Sequence, residues 1–416
     1  FYQRQGLYFN RWNNEPRRYM FDLEYLRGNL QSPNTTAVGD FHVANGFKQL
    51  GSTNAFRPTD PTNQDFNPQY TTRALNGKGD QFANAMHGIP ADGIRGKFII
   101  ENPDSTRFEA SVWWFAKVQD HFDPEGFRAF NPNDISTLAP LGAIYYPNPS
   151  VPIAPVLPQG GQMQVFDKSY DLFFRSQAYG SDIDWVSTPF FERGSFKLRW
   201  MAGVKWVKIR EQFLFIGQDS GLSYSVDPTS GQPLTGTIAV VPGVSAYTAA
   251  LNAASTNTLG GPQIGVRYEI GGEKLKIWGQ SRLAIAANNN SVGIGGYNLG
   301  DPFSMLQPGG GVGFPTPTPT NPRPTAFGST QTHTNVSPIF DTQIFAESYV
   351  LRYVPLLNKI YIFNRAKFRV GYNFMVVSDV VRPNDSIRWL APTPVIINKH
   401  TNWSFGATSL GLEWKF

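Results

Sequence analysis

The sequence predicts an all-β protein, a single antiparallel transmembrane β-barrel of about ten strands. Apolar and polar residues alternate with a period of two in segment after segment, which places one face of each strand against lipid and the other against a polar interior. The connections are alternately short and long, as in barrels with tight turns at one end and large loops at the other. The chain also lacks any run approaching the roughly 18 apolar residues of a transmembrane helix.

Composition favours the same fold class. The 416 residues include 40 Gly and 32 Pro, with 16% charged and 14% aromatic residues, a balance typical of turn-rich β proteins. Cysteine is absent, which excludes disulfides, thiolate metal sites and cysteine nucleophiles. The net charge of +5 is spread along the chain, so no basic cluster predicts nucleic-acid binding.

Ten segments alternate with a period of two, and in each we expect the apolar residues to face outward. In the first five segments these residues are Tyr19, Phe21, Leu23 and Tyr25; Ile94, Phe98 and Ile100; Phe108, Ala110, Val112 and Trp114; Tyr170, Leu172 and Phe174; and Phe196, Leu198, Trp200, Ala202, Val204 and Trp206. In the next four they are Ile264, Val266, Tyr268 and Ile270; Leu275, Ile277, Leu283 and Ile285; Phe340, Ile344 and Val350; and Phe368, Val370, Tyr372 and Phe374.

The tenth segment ends the chain with Leu410, Leu412, Trp414 and Phe416 alternating with small or polar residues. Alternation that ends on an aromatic residue resembles the C-terminal signal of bacterial outer-membrane barrels. The resemblance implies recognition of this strand by the barrel-assembly machinery, through Ser409, Gly411, Trp414 and Phe416.

The connections define the predicted organisation. Residues 1–17 are expected to form a periplasmic arm or plug, and 18–416 the barrel. Long extracellular loops are predicted at about 31–92, 119–165, 216–260, 289–337 and 379–401, and short periplasmic turns at Asn102–Ser105, Gly271–Gly272 and Pro355–Lys359, with a moderate one at Pro189–Gly194. Twelve strands are the alternative if Phe41–Phe47 or Thr237–Val244 hides a hairpin.

Four segments carry a further resemblance: Phe368–Phe374 leading into Arg382-Pro383, Gly260–Glu269, Arg199–Glu211 and Leu410–Phe416. Together they resemble the beta-barrel porin family of planctomycete outer membranes, which has V-G-Y, G-G-Q-x-G and G-x-R-Y-x-x-L-x-E strands and an R-P-G-x-Q-I-D segment. Asn384, Ser386 and Arg388 replace the glycine, glutamine and acid of that last segment, so no role of the acid is carried over. The resemblance implies the fold and an outer-membrane location, without a defined substrate.

The inward positions are predicted to be rich in basic residues. The candidate pore-lining residues are Arg95, Lys97, Arg107, Arg175, Lys197, Arg199, Lys205, Arg267, Lys274, Lys276, Arg282, Lys367 and Arg369. One interpretation is a water-filled lumen that prefers anions, since rings of charge set pore selectivity. The other is a lumen filled by salt bridges between strands, which is favoured because ten strands are close to the size that side chains fill.

Catalytic and metal sites are not predicted. The five histidines fall in predicted loops or at a strand edge, and neither a Gly-x-Ser-x-Gly nor a His-Glu-x-x-His pattern is present. Asp182 and Asp184 allow calcium binding, but without EF-hand spacing we expect them to be solvated. We therefore expect no enzymatic activity, no metal and no cofactor.

Three functions are compatible with these patterns. The first is a porin-like protein of the outer membrane of a Gram-negative-type bacterium, embedded in lipid, whose ordered loops build a homo-oligomer, a trimer as first guess, or a cell-surface assembly. The second is a diffusion porin for small, preferentially anionic solutes, constricted by an inward-folded loop such as 119–165. The third is a soluble secreted β-protein that binds carbohydrate.

Overall fold

The computed structural model describes residues 17–33, 89–122, 142–146, 162–166, 169–219, 222–226, 233–240, 247–272, 274–300, 326–356, 359–390 and 393–416. The strands in chain order are β1 (Arg18–Leu30), β2 (Ile89–Glu101), β3 (Arg107–Phe115), β4 (Val118–Phe122), β5 (Gly142–Tyr146), β6 (Gln162–Phe166), β7 (Ser169–Arg193), β8 (Phe196–Asp219), β9 (Leu222–Val226), β10 (Pro233–Val240), β11 (Tyr247–Gly271), β12 (Leu275–Tyr297), β13 (Ala326–Ser348), β14 (Lys367–Val381), β15 (Ile387–Arg388), β16 (Val395–Ile396) and β17 (His400–Lys415). Among the described residues, no helix has the length and apolar character to cross a membrane.

Ten of these strands form one closed antiparallel barrel. Each pairs with its neighbours in the order β1, β2, β3, β7, β8, β11, β12, β13, β14 and β17, and β17 returns to β1 with Leu410 opposite Tyr25. Strand β4 continues β3 along the same partner, β7. The predicted number of ten barrel strands is therefore confirmed.

The twelve-strand alternative is not what the described chain forms. A hairpin does exist near Thr237–Val244, where β10 pairs with β9, but the two strands form a separate sheet. The other proposed hairpin, Phe41–Phe47, lies outside the described residues, as do residues 1–16 of the predicted N-terminal arm.

A belt of exposed apolar side chains surrounds the half of the barrel nearest the short turns. It includes Trp200 at 55% and Ile264 at 66% exposure, with aromatic residues such as Tyr19, Trp114 and Trp185. In β8 the belt runs from Phe196 to Trp206, which corresponds to about 25 Å along the membrane normal for a strand tilted by about 45°. Because such a surface is stable only against lipid, the barrel is transmembrane.

Beyond the belt, toward the long loops, the two faces of each strand exchange character: apolar residues point inward and polar residues point outward. In β1 the inward residues Asp22 and Glu24 are followed by the buried inward residues Leu26 and Leu30, while Arg27 faces outward and is exposed. The reversal follows from the change of solvent, because the outer face meets lipid below this level and water above it. Each long strand is thus built like a membrane barrel below and like a soluble β-protein above.

The reversal gives the upper barrel an apolar core. Rings from several strands meet in it, with Phe115 and Phe405 at 5.0 Å between centroids and Tyr170 and Phe215 at 5.1 Å. The β5–β6 hairpin begins in the predicted loop 119–165 and ends one residue after it, at the buried Phe166, whose ring lies 5.2 Å from that of Phe215. The interior is therefore occupied above the belt as well as within it.

The reversal also corrects the prediction for the fourth segment. Tyr170, Leu172 and Phe174 are fully buried in the upper core, not lipid-facing, and Arg175 points outward, where it donates to Gln119 and Gln212. The period of two holds in this segment, but the segment lies above the belt, where apolar residues face inward.

Connections differ from the prediction in the same region. Strands β8, β11, β12 and β13 extend into the predicted loops 216–260 and 289–337, so the connections shrink to 220–246 and 298–325. The turn predicted at Pro355–Lys359 is longer, with a 3-10 helix at Val350–Tyr353 and an α-helix at Tyr361–Arg365. Polar upper strands resemble loops in composition, which is why their ends were underestimated.

The belt makes a prediction about two alanines. Replacing Ala202, which is exposed in the middle of the belt, by Arg should destabilise the barrel by about 2–4 kcal/mol, because the guanidinium would lie in lipid. Ala254 on the neighbouring strand is also exposed but lies above the belt, so Ala254→Arg should cost less than about 1 kcal/mol. Urea unfolding in lipid vesicles measures both, and equal losses would contradict the belt.

Candidate functional site: the barrel interior

The interior at belt level is filled by paired charges. Among the described residues, ten basic side chains take part: Arg95, Lys97, Arg107, Arg199, Lys205, Arg267, Lys276, Arg282, Lys367 and Arg369. Ten acidic side chains pair with them: Asp22, Glu24, Glu101, Glu109, Asp182, Asp184, Glu269, Asp341, Glu347 and Glu413. This interior is therefore neutral as a whole.

One cluster of ion pairs centres on Arg369 of β14. Its guanidinium lies 2.5 Å from Asp22, 3.3 Å from Glu24 and 3.1 Å from Glu347, and it also bonds Glu413. These carboxylates come from β1, β13 and β17, so a single side chain cross-links four strands. Arg95 shares Glu24, and Lys367 shares Glu413, which extends the cluster around the wall.

A second cluster centres on Arg267 of β11 and has more basic than acidic members. Arg267 lies 2.6 Å from Glu109 and 2.9 Å from Glu269. Lys97 also bonds Glu109, and Lys276 lies 2.9 Å from Glu269. Glu109 belongs to β3 and Arg267 to β11, so the bond between them crosses the lumen, whereas Lys97 and Lys276 bond acids on the neighbouring strand.

A third cluster is rich in acids. Arg282 of β12 lies 2.7 Å from Asp184 and also bonds Asp341, while Lys205 lies 2.8 Å from Asp341 and also bonds Asp182. All five side chains are buried. The expectation that Asp182 and Asp184 are solvated is wrong, because both face the lumen from β7 and are needed to balance its cations.

An aromatic pair lies where the clusters meet. The rings of Trp278 and Phe345 stack at 4.5 Å. The guanidinium carbons of Arg267 and Arg369 lie 4.1 and 5.0 Å from the Trp278 ring centroid, and Arg95 lies 5.2 Å from that of Phe345. Cation–π contacts of this kind hold desolvated cations without a carboxylate, which suits the surplus of basic groups in the second cluster.

These side chains pack closely, since seven of the basic and nine of the acidic ones have at most 7% exposure. A cavity of about 10 Å³, lined by Glu24, Arg95, Trp278 and Arg369 among others, is enough for about one water molecule. Gly411 belongs to the same close packing, because a Cβ at that position would lie 2.5 Å from Cγ of Glu24. The geometry is that of a filled barrel.

Above the belt, the connection between β14 and β17 enters the barrel mouth. Arg382 is fully buried and makes two bonds of 2.9 Å to Glu211 of β8. It also donates to the carbonyl oxygens of Ser32 (2.9 Å) and Gln31 (3.2 Å) after β1. Arg382 therefore ties opposite walls together across the mouth, and we call it with Glu211 the mouth pair.

Polar side chains replace strand pairing where β14 leaves the wall. Asp379 has a left-handed backbone, with φ of 54°, and its carbonyl oxygen accepts hydrogen bonds from Ser337 and Asn335, both at 2.9 Å. Asn257 of β11 bonds both the N–H (3.0 Å) and the carbonyl (2.8 Å) of Val381. These bonds pair the backbone N–H and carbonyl groups that lose their strand partners where β14 diverges from β13, and they direct Arg382 toward Glu211.

Burial raises the pKa of Glu211, which lies above the belt, and the guanidinium of Arg382 opposes this rise.

Both residues of the mouth pair lie in segments that carry the family resemblance. Of the residues that depart from it, Asn384 and Ser386 are buried in the same connection, whereas Arg388 is exposed.

The predicted basic residues can now be placed. Seven are buried in the interior: Arg95, Lys97, Arg199, Lys205, Arg267, Arg282 and Arg369. Arg107, Lys276 and Lys367 lie at its short-turn end with 12–22% exposure. Three do not line the interior: Arg175 faces outward, Lys274 lies in an exposed turn, and Lys197 pairs with Glu192 beside the β7–β8 turn.

Several interior residues were not identified from the sequence as functional. Trp278 has no local signature, and Glu211 and Arg382 lie in segments that carry the resemblance without any sign that they pair with each other; only the three-dimensional structure shows that contact. Asp182 and Asp184 did carry a signal, since they alternate with Ile183 as the other inward acids alternate with apolar residues.

Three of the five histidines lie in the described part of the chain. His121 contacts Asp171 at 3.2 Å and stacks on Phe173 on the outer wall, and the rings of His333 and His400 lie 6.1 Å apart. The described residues contain no group of three or more His, Asp or Glu able to hold a metal ion. His42 and His87 lie outside them.

The predicted C-terminal signal lies on β17. Trp414 packs against Phe21 with 6.2 Å between ring centroids, and the Phe416 N–H donates to the Tyr19 carbonyl at 2.9 Å. Ser409 is buried on the inner face. Recognition of these residues by the assembly machinery stays a prediction.

No protein-family model matches this chain, and no curated protein matches its sequence. Among solved structures, the outer membrane protease OmpT from Escherichia coli is similar at 10% identity and a TM-score of 0.33, over 96% of both chains. OprB of Pseudomonas putida gives 6% identity and a TM-score of 0.13, over 99% of this chain and 97% of its own. At such values these likenesses carry no argument about function, and the resemblance to the planctomycete family stays a prediction.

The mouth pair yields a stability prediction. Replacing Arg382 by Met should destabilise the protein by about 3–5 kcal/mol, because Glu211 would be left buried without its cation. Arg388→Met is the matched control, since Arg388 is exposed in the same connection and should cost less than about 0.5 kcal/mol. The double variant Arg382→Met/Glu211→Gln should recover part of the loss. Unfolding free energies measure all three, and equal losses in the two single variants would contradict the assignment.

The loss in Arg382→Met should depend on pH. Without the cation, burial would raise the Glu211 pKa further, so the folded state would keep a proton that the unfolded chain releases above about pH 4.3. Stability therefore falls as pH rises from that value to the folded pKa. The destabilisation relative to wild type should be smaller at pH 4 than at pH 8, and the reverse order would show that Glu211 is not its source.

Proposed function

We propose that this chain is an outer-membrane β-barrel whose interior does not conduct, and that it works through the surface at its long-loop end. The observation that carries the proposal is the neutral interior, in which every basic group named above is matched to a carboxylate. A pore selective for anions needs uncompensated cations along a water path. Here the cations are engaged with acids and aromatic rings across the lumen.

The location in the outer membrane is part of the proposal. It is supported by the belt, by the long strands and by the alternation of short and long connections. By analogy with barrels of this kind, the short turns would face the periplasm and the long loops the exterior. Absence of enzymatic activity is proposed with it.

The upper barrel supports a role in presenting a surface. Its apolar core and the mouth pair hold the ends of β7, β8, β11 and β12 as a rigid wall above the belt. A rigid base of this kind positions loops for contact with other molecules. Assembly of several copies, with a trimer as first guess, remains a prediction that native mass spectrometry in detergent tests directly.

Electrical recording tests the closed interior. The purified protein in a planar bilayer should give no stepwise conductance at neutral pH, while a general diffusion porin in the same bilayer does. Heat-modifiable migration on a gel provides the control that the silent protein is folded. Stepwise conductance with anion preference would overturn the proposal in favour of a diffusion porin, and would assign Arg95, Arg267 and Arg369 to its selectivity.

Thiol labelling tests water access independently, since the chain has no native cysteine. Ser409 is 1% exposed on the inner face, and its hydroxyl has no hydrogen-bond partner among the described residues, so Ser409→Cys should fold normally. Its thiol should resist a water-soluble maleimide in the folded state. Ser329→Cys, at an exposed position on β13, is the control that should react at once. Rapid labelling at position 409 would indicate an open water path.

A further inference from the structure

Two basic side chains on the outer wall lack the partners that every interior cation has. Lys208 and Arg210 follow Trp206 on the outward face of β8. Among the described residues no acid pairs with either, whereas Arg199 and Lys205, on the inner face of the same strand, both have carboxylate partners. Two neighbouring cations without acids indicate a surface that meets an anion from outside the chain.

Their neighbours on both sides are neutral. Lys208 lies opposite Tyr179 on β7 and Thr258 on β11, and Arg210 lies opposite Gln177 and Thr256 in the same registers. Directly opposed side chains are about 5 Å apart. Among the described residues, therefore, none that lies directly opposite either cation supplies a negative charge.

The patch lies at the rim of the lipid belt. Trp206 of β8 packs against Tyr179 of β7 with 5.7 Å between ring centroids, and Trp114 of β3 lies opposite Tyr179 on its other side. Rows of Trp and Tyr mark the level of lipid headgroups. Lys208 and Arg210 come next along β8, so they lie where the phosphates of the adjoining leaflet would be.

The side chains of the patch are oriented toward the level of the lipid phosphates. The guanidinium of Arg210 lies 5.9 Å from the Tyr179 ring centroid, so it leans toward the belt and not away from it. A third cation, Arg175, is held on the same face by Gln119 at 2.6 Å and Gln212 at 3.3 Å. Residues two apart on a strand are separated by about 7 Å, which allows Lys208 and Arg210 to approach one phosphate together.

We propose that Lys208 and Arg210, with Arg175 beside them, bind the phosphate of an anionic membrane lipid headgroup in the leaflet on the long-loop side. The lipid's acyl chains would lie on Trp206, Val204 and the neighbouring belt, and its phosphate would complete the charge balance of the patch. The site rests on the membrane-spanning position of the belt in the proposed function. It does not depend on whether the lumen conducts.

Lipid retention measured by native mass spectrometry tests the site on the full chain. The probes are phosphatidylglycerol, a galactolipid of the same chain length without phosphate, and inorganic phosphate. Wild type should retain phosphatidylglycerol in preference to the galactolipid, and Lys208→Gln/Arg210→Gln should weaken that retention on the order of 25-fold, about fivefold per cation removed. Raising the salt concentration should weaken wild type toward the variant.

A matched variant separates the site from overall charge. Arg388→Gln/Lys399→Gln removes the same two charges from exposed positions in the connection between β14 and β17, and it should retain phosphatidylglycerol as wild type does. Equal weakening in both double variants, or displacement of the lipid by an equal concentration of inorganic phosphate, would overturn the site. Failure of wild type to retain either lipid would instead overturn the membrane location, and so identify the proposed function as the faulty step.

Discussion

Pairing of charges inside a narrow barrel is the constraint on which the rest of this structure depends. Lipid requires the outer face to be apolar, so the alternating polar residues must point inward. Ten strands enclose too little space to hydrate them, and an unpaired buried charge costs several kcal/mol. Arg369 shows the outcome, since it is surrounded by four carboxylates from three other strands. The same bonds that neutralise the interior also fix the register of the wall.

Much of the fold could be predicted from the sequence because this constraint makes inward polar and outward apolar residues alternate along every strand with a period of two. All ten barrel strands and the phase of nine followed from alternation alone. The predicted orientation of the fourth segment was wrong, because the face that apolar residues occupy depends on the solvent outside the barrel. Tyr170 and Phe174 lie above the belt, where water replaces lipid and apolar residues turn inward. The predicted ends of β12 and β13 were wrong for a related reason, since strand residues such as Asn and Thr that face water resemble loop residues in composition.

The interior was predictable only in part. Alternation identified residues such as Arg95 and Glu24 as inward, but it could not say which charges meet across the lumen. Arg382 and Glu211 are 171 positions apart and join only because Asn257 and the turned carbonyl of Asp379 lead the chain inward. Such a contact depends on the path of a connection after the strand ends, and a strand pattern carries no information about that path.

The distribution of charge has a consequence for where this protein recognises other molecules. The whole chain has five more basic than acidic residues, yet the belt-level interior is neutral, so the surplus lies outside that interior. Under the proposed function, electrostatic recognition would therefore occur at the outer wall and the loop end. Lys208 and Arg210 are two of those surplus cations, and the further inference places them at the level of the headgroup phosphates in the leaflet on the long-loop side. A filled barrel thus directs its charge chemistry outward, toward lipid and toward whatever the loops meet.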